Sequence, residues 1–235
     1  MGGAVIMAAQ AASRSGAGKV TVLTKDCHLS ALLSSAPNIM TILKKENSQK
    51  IFENKTVVAI GCGLGKSAWS KKLFHLTLKS ELPKIIDADA LNLLSLSKEK
   101  FNLNNTIITP HVGEAARLLN ISPNEIQKNR ESAVKKLYEK YRAITVLKGK
   151  GTLIYDGKEI YQCSKGNPGM ATAGMGDILS GIIAGLLAQN LNLKNSAILG
   201  VEIHAQAGDL VAKMQGEIGM SPCDLLINIP KIINN

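Results

Sequence analysis

Between Asn167 and Gln189 the chain reads NPGMATAGMGDILSGIIAGLLAQ, and this stretch constrains the fold more than any other. Its first half, with Gly166 just before it, is rich in small residues, Gly169, Ala171, Ala173, Gly174 and Gly176, followed by one acid, Asp177, and then an apolar run. Glycines let a backbone turn through dihedrals closed to other residues and approach a ligand closely. A helix beginning at Met175 or Gly176 aims unpaired N–H groups, and about half a positive charge, at whatever occupies the turn. That is an anion site. Asp177 has two readings there, a helix-capping acid or a general base beside a bound phosphate. Gly181 and Gly185, four apart, leave a smooth face on which another helix or strand can pack closely.

The rest of the chain alternates short β-branched runs with helical spacing. A helix over 2–15 stops at Gly16 and Gly18, and KVTVLT at 19–24 follows as a strand. A short helix over 26–35 ends before Pro37. Strands are then expected at 56–60, 84–87, 106–109 and 143–147, with helices over 67–79, 90–96 and 115–119 between them. Ser122-Pro123-Asn124-Glu125 is a capping box with proline at the first helical position, opening a long polar helix to Tyr141. Asp156-Gly157 marks a hairpin between 153–155 and 159–161. Helices over 193–213 and 224–233 close the chain. The alternation predicts an α/β sandwich with a mostly parallel central sheet, formed by residues 1–235 as a single domain. A domain that opens on a helix lacks its expected first strand.

Ligands of such sheets bind at the C-terminal ends of the strands, and the unusual residues gather there: Gly61–Gly65, Asp87 and Asp89, His111 and Glu114, Lys148–Thr152, and the Gly174–Asp177 turn. Taken singly, each has a plain structural reading. GCGLGKS at 61–67 is no P-loop, because GxxxxGK[ST] needs a glycine where Ile60 stands, and it does not satisfy GxGxxG. Asp87 and Asp89 could pair at a metal, or Asp89 could cap the next helix. His111 could be a surface-loop histidine. Lys148-Gly149-Lys150-Gly151-Thr152 offers a cation and backbone donors to a nucleotide, or is a turn with solvated lysines. Their common placement favours a site.

Composition removes other classes. The net charge of +10 suits nucleic acid, an acidic membrane surface or anionic small molecules. Aromatics are only 3% and do not interleave with the lysines, which argues against a nucleic-acid stacking platform. Four scattered cysteines without a CxxC pair suggest neither a disulfide framework nor zinc and fit a reducing, cytoplasmic compartment. No apolar run is long enough to span a bilayer.

Six segments, taken together, resemble the ADP-dependent NAD(P)H-hydrate dehydratases of the ribokinase-like fold. They are SGAGKVTV at 15–22, GCGLG at 61–65, DADALNLL at 87–94, TPHVGEAARLL at 109–119, KGKGT at 148–152 and NPGMATAGMGDILSG at 167–181. They occur in the family's order over nearly the whole chain. The family has proline where Cys62 and Val112 stand, and its first strand, with the glycine/serine loop after it, would precede Met1. In bacteria this domain is often the C-terminal half of a protein that also carries an epimerase, so a fused or separate epimerase is an implied partner.

The resemblance implies a ribokinase-like three-layer α/β/α sandwich and a repair reaction. A redox-dead hydrate of NADH or NADPH, with a hydroxyl on carbon 6 of the nicotinamide ring, loses that hydroxyl as ADP is cleaved, giving NAD(P)H, AMP and phosphate. Asp177 is then the base, and the N–H groups about Gly174 and Gly176 hold developing negative charge. Lys148, Gly149, Lys150, Gly151 and Thr152, with Gly176, bind ADP. Ala4, Gly63, His111 and Asp177 line the hydrate pocket. Asp87, Asp89 and Glu114 are candidates for Mg²⁺. A homo-oligomer, a tetramer in the family, is also implied. Two alternatives stand beside this reading: a ribokinase-like kinase for a thiazole or pyrimidine alcohol, and a non-catalytic nucleotide-binding fragment.

Overall fold

A computed structural model describes residues 1–43, 50–99 and 101–235. The central sheet has six strands: β3 (Val58–Ile60), β4 (Lys84–Ile86), β5 (Thr106–Ile108), β6 (Ile144–Leu147), β7 (Leu153–Tyr155) and β8 (Ile160–Gln162), adjacent in that order. β3 to β6 run parallel, and β7 and β8 fold back antiparallel as the hairpin expected around Asp156-Gly157. A separate parallel pair joins β1 (Thr21–Thr24) to β2 (Met40–Leu43). The sequence patterns do not reveal β2, whose side chains are exposed or half-buried and so carry no burial alternation.

Three-residue strands such as KII and TII suffice because both faces of each are covered, as parallel sheets require. Successive side chains enter opposite cores. Ile86, Ile108 and Leu147 join one cluster with helices α3 (Ala68–Lys79), α4 (Ala88–Leu96), α5 (Val112–Leu119), α6 (Pro123–Lys128) and α7 (Arg130–Tyr141). Ile85, Ile107 and Val146 join the other with α8 (Met175–Ala188) and α9 (Leu193–Gln215). This is the expected three-layer sandwich. The helix predicted to run unbroken to Tyr141 is instead two. Asn129 leaves helical geometry at φ −150, ψ 81, and its side chain accepts from Ser132 N at 2.8 Å, capping α7.

α8 is apolar all round because it is covered all round. Leu179, Ile183 and Leu187 face the sheet. Ile178, Ile182 and Leu186 face α1 (Gly2–Arg14), α9 and α10 (Pro222–Ile233). The smooth face at Gly181 and Gly185 receives α1. A Cβ on Gly181 would strike the Ala8 carbonyl and lie 2.6 Å from Ala11 Cβ, and one on Gly185 would lie 2.6 Å from Ala12 O. Gln189 Nε2 then fastens the end of α8 to Ser15 O at 2.6 Å. Among the described residues no helix is long and apolar enough to cross a membrane.

One polar link runs through the layers. Lys148, just past β6, places Nζ 2.8 Å from Oδ1 of Asp87, just past β4, and Asp87 Oδ2 accepts from Ser180 Oγ of α8 at 2.8 Å. Asp87 is 2% exposed. Two strand ends and the first turns of α8 are thereby held in one register.

Two outcomes follow for stability. Gly181→Ala overpacks the α1–α8 contact and costs about 1–3 kcal/mol in chemical denaturation, whereas Gly3→Ala, which meets open space, leaves stability unchanged or slightly raised. Lys148→Met strands the buried Asp87 carboxylate and costs about 3–5 kcal/mol, read by the same denaturation curves.

Candidate active site

The strand ends converge as expected. The Gly61–Gly65 turn follows β3, and a Cβ on Gly61 would collide with the Asp87 backbone carbonyl. Gly65 N donates to Asp89 Oδ2 at 2.7 Å, so Asp89 fixes this turn. Gly63 O accepts from the Met1 ammonium at 2.7 Å, and Ala4 lies buried in the first turns of α1. Asp87 caps α4 through Ala88 N at 2.8 Å. Ala88 takes φ +46, a left-handed conformation that disfavours side chains, so this turn stores strain beside the site.

His111 and Glu114 form a reciprocal capping box at the start of α5. Gly113 N donates to His111 Nδ1 at 3.0 Å, and His111 N donates to Glu114 Oε2 at 2.8 Å. With Nδ1 accepting, the neutral ring carries its proton on Nε2, 3.5 Å from Glu114 Oε1. Burial pulls the His111 pKa below its usual value, with Lys148 and Arg117 adding to the effect and Asp87 opposing it. Burial raises the Glu114 pKa, against the pull of Lys148, whose Nζ is 3.8 Å away.

Lys148, the first lysine of the 148–152 loop, therefore turns inward. Burial works against its charge, but Asp87 and Glu114 outweigh it and hold the Lys148 pKa above its ordinary value. A Cβ on Gly176 would lie 3.2 Å from Lys148 Nζ and 3.7 Å from Asp87 Oδ2, so this ammonium sits directly behind the first turn of α8. Gly149, Lys150, Gly151 and Thr152 form the outward part of the loop, with Thr152 Oγ1 donating to Gly149 O at 3.0 Å.

α8 starts at an N-cap that has no side chain, Gly174 with φ +99. Met175 N is taken by Thr172 O and Ile178 N by Gly174 O, whereas the amides of Gly176 and Asp177 bond no carbonyl among the described residues. The capping reading of Asp177 fails, because its carboxylate holds no backbone N–H there. It is half-buried, with the Cys62 thiol beside it. Burial raises the Asp177 pKa, Asp87 and Asp89 add to that, and Cys62 and Lys148 oppose it. Burial likewise pushes the Cys62 thiol up, helped by Asp87 and Asp177, which keeps it protonated as a donor.

The three carboxylates expected at Mg²⁺ do not come together as ligands. Asp87 is bonded to Lys148 and Ser180, Asp89 to Gly65 N, and Glu114 to His111 N. Among the described residues no group of three or more His, Cys, Asp or Glu could hold a metal ion.

Two groups escaped the sequence reading. His204 of α9 keeps Nε2 buried without a hydrogen-bond partner, and burial lowers its pKa to about 4. Arg130, the first residue of α7, reaches the 148–152 loop. The Asn129 cap, three residues before Ser132, was the available signal for the helix start that aims it.

A family model described as NAD(P)H-hydrate dehydratase matches residues 1–231. The bifunctional NAD(P)H-hydrate repair enzyme Nnr of Coxiella burnetii is 48% identical over 237 residues, covering 100% of this chain and 48% of that protein. The chain thus spans about half the length of such relatives. The ADP-dependent (S)-NAD(P)H-hydrate dehydratase of Neisseria meningitidis is 39% identical over 222 residues, covering 92% of this chain and 75% of that protein. A crystal structure of the Bacillus subtilis ADP/ATP-dependent NAD(P)H-hydrate dehydratase, co-crystallised with ATP and Mg²⁺, superposes with a TM-score of 0.88 at 25% identity, covering 100% of this chain and 85% of that one. The architecture is the ribokinase-like α/β fold expected from the sequence. Strand ends, glycine turn and sequence together show that the chain belongs to the NAD(P)H-hydrate dehydratase family.

Proposed function

We propose that this chain dehydrates the hydrate of NADH or NADPH at the expense of ADP, yielding NAD(P)H, AMP and phosphate. The observation that carries the reading is the first turn of α8. There a half-buried carboxylate that caps nothing, Asp177, stands beside two unbonded backbone amides, with the Lys148 ammonium behind them. Hydroxide is a poor leaving group and phosphate a good one. Asp177 takes the proton from the carbon-6 hydroxyl as that oxygen attacks the terminal phosphorus of ADP, and the bond from phosphorus to AMP breaks. The carbon–oxygen bond then breaks with phosphate as the leaving group, and loss of a proton from the neighbouring ring carbon restores the dihydronicotinamide. The free amides of Gly176 and Asp177 hold the charge gathering on the transferred phosphoryl group.

Gly149, Lys150, Gly151 and Thr152 receive the nucleotide in this reading, while Lys148 acts from inside, at the anion turn. Ala4, Gly63 and the Nε2–H of His111 face the hydrate. Since the carboxylates do not assemble a metal cage, Mg²⁺ enters as the companion of the nucleotide phosphates, held by phosphate oxygens and water. A fused or separate epimerase, a homo-oligomeric assembly and a cytoplasmic setting belong to the same proposal.

Chemically hydrated NADH, incubated with the protein, ADP and Mg²⁺, should regain the NADH absorbance band as AMP and phosphate appear. A kinase of the same fold would instead prefer ATP and leave a stable phosphorylated product. Asp177→Asn should lower kcat by about 10²–10⁴-fold with ADP binding nearly intact, and turnover retained in that variant overturns the base assignment. Because Asp177 must be ionised and its pKa is raised by burial, the acid limb of kcat/KM should lie above the ordinary carboxylate range. Stability must be followed alongside, since His204 titrates at about 4 in the fold. It stays neutral in the folded protein while the unfolded chain takes up a proton below about 6.5. Its contribution, about 3 kcal/mol, is therefore complete above that pH and is lost as pH falls towards 4. In His204→Gln, denaturation midpoints at pH 7 and pH 5 should lie closer together than in the parent.

A further inference from the structure

Arg130 of α7 brings a cation against the outward loop, beside the loop's own exposed Lys150. Its Nη1 donates to Lys150 O and its Nη2 to Leu147 O at 2.9 Å, so one guanidinium holds carbonyls on both sides of Gly149. Gly149 has φ +144, and a Cβ there would lie 3.2 Å from Arg130 Nη2, so the glycine lets the side chain lie flat against the loop. No backbone N–H of Gly149, Lys150 or Gly151 bonds a carbonyl among the described residues. With the loop's carbonyls drawn toward α7, these amides remain free to donate to an anion.

The charge of Arg130 is also unmatched. Among the described residues no carboxylate pairs with it, and its Nε is buried without a partner. An arginine stays protonated in proteins, and a partly buried cation without a counter-ion is costly. Of the motif's own cations, Lys148 is already committed to Asp87 and Glu114, and Lys150 is exposed. The helix break at Asn129 makes this arrangement possible, since it starts a new helix with Arg130 as its first residue.

We propose that Arg130 is the positioning residue of the nucleotide site. It holds the 149–151 amides outward and supplies the positive charge that the bound nucleotide's phosphates neutralise. The proposal rests on the reading of 148–152 as the ADP loop.

The test compares Arg130→Gln and Arg130→Lys with the parent protein. It follows ADP affinity by titration calorimetry, KM for ADP and for the hydrate, kcat, and the rise in Tm caused by ADP. Loss of a charge-assisted pair of bonds should raise Kd and KM for ADP about tenfold or more, with KM for the hydrate changed by less than about threefold. The Tm rise at fixed ADP should shrink accordingly. Arg130→Lys, which keeps the charge but cannot span two carbonyls, should recover only part of the affinity. If Arg130→Gln does not fold, ADP titration of Arg130→Lys carries the test. Unchanged ADP affinity, or KM values for both substrates rising together as Tm falls, overturns the proposal. Parent protein that binds ADP but does not turn over the hydrate overturns the dehydratase reading and leaves Arg130's role to the ADP titrations. Parent protein that binds no ADP overturns both.

Discussion

The contact between Lys148 and Asp87 is the constraint on which the rest of the site depends. An ion pair with one partner 2% exposed contributes little net stability, because desolvation offsets most of the Coulomb attraction. Its consequence is geometric. The same carboxylate accepts from Lys148, Ala88 N and Ser180, so the ends of β4 and β6 and the start of α8 cannot shift independently. The turn carrying Asp177 is thus referenced to the sheet by charged hydrogen bonds and to α1 by close backbone packing at Gly181 and Gly185.

The same network sets the electrical character of Asp177. Burial, Asp87 and Asp89 push its proton affinity up, while the Cys62 thiol and Lys148 pull it down. The net direction is upward, so this acid holds its proton more tightly than a solvated carboxylate. Cys62 matters here as a donor. A proline, the residue the family resemblance places at this position, would lack the thiol, so the balance around the acid differs in this chain from that expected pattern.

Much of this was legible in the sequence. β-Branched runs located the parallel strands, Ser122–Glu125 announced its helix start, and the paired glycines of α8 foretold a close neighbour. The cluster of unusual residues at strand ends anticipated which segments the fold brings together. What remained hidden was direction. The same KGKGT string is compatible with Lys148 pointing to solvent or to the interior, and only the proximity of Asp87 and Glu114, remote in sequence, decides it. The acids were read as metal ligands because carboxylates on neighbouring strand ends look alike in one dimension, whereas each is bonded to a different donor in three. β2 escaped because its half-exposed side chains do not alternate, and the break at Asn129 because the polar run on either side continues smoothly through it.

The reversal of direction after β6 has a consequence for binding entropy. Parallel neighbours need a long crossover, but β6 and β7 are antiparallel, and Leu147 pairs with Leu153. Residues 148–152 therefore span a gap between two strands already joined, closing a short loop whose ends have almost no freedom left to lose. A ligand received by such a loop gives up little of its binding energy to ordering the chain around it. The turn between β6 and β7 thus has both its ends fixed by the sheet itself.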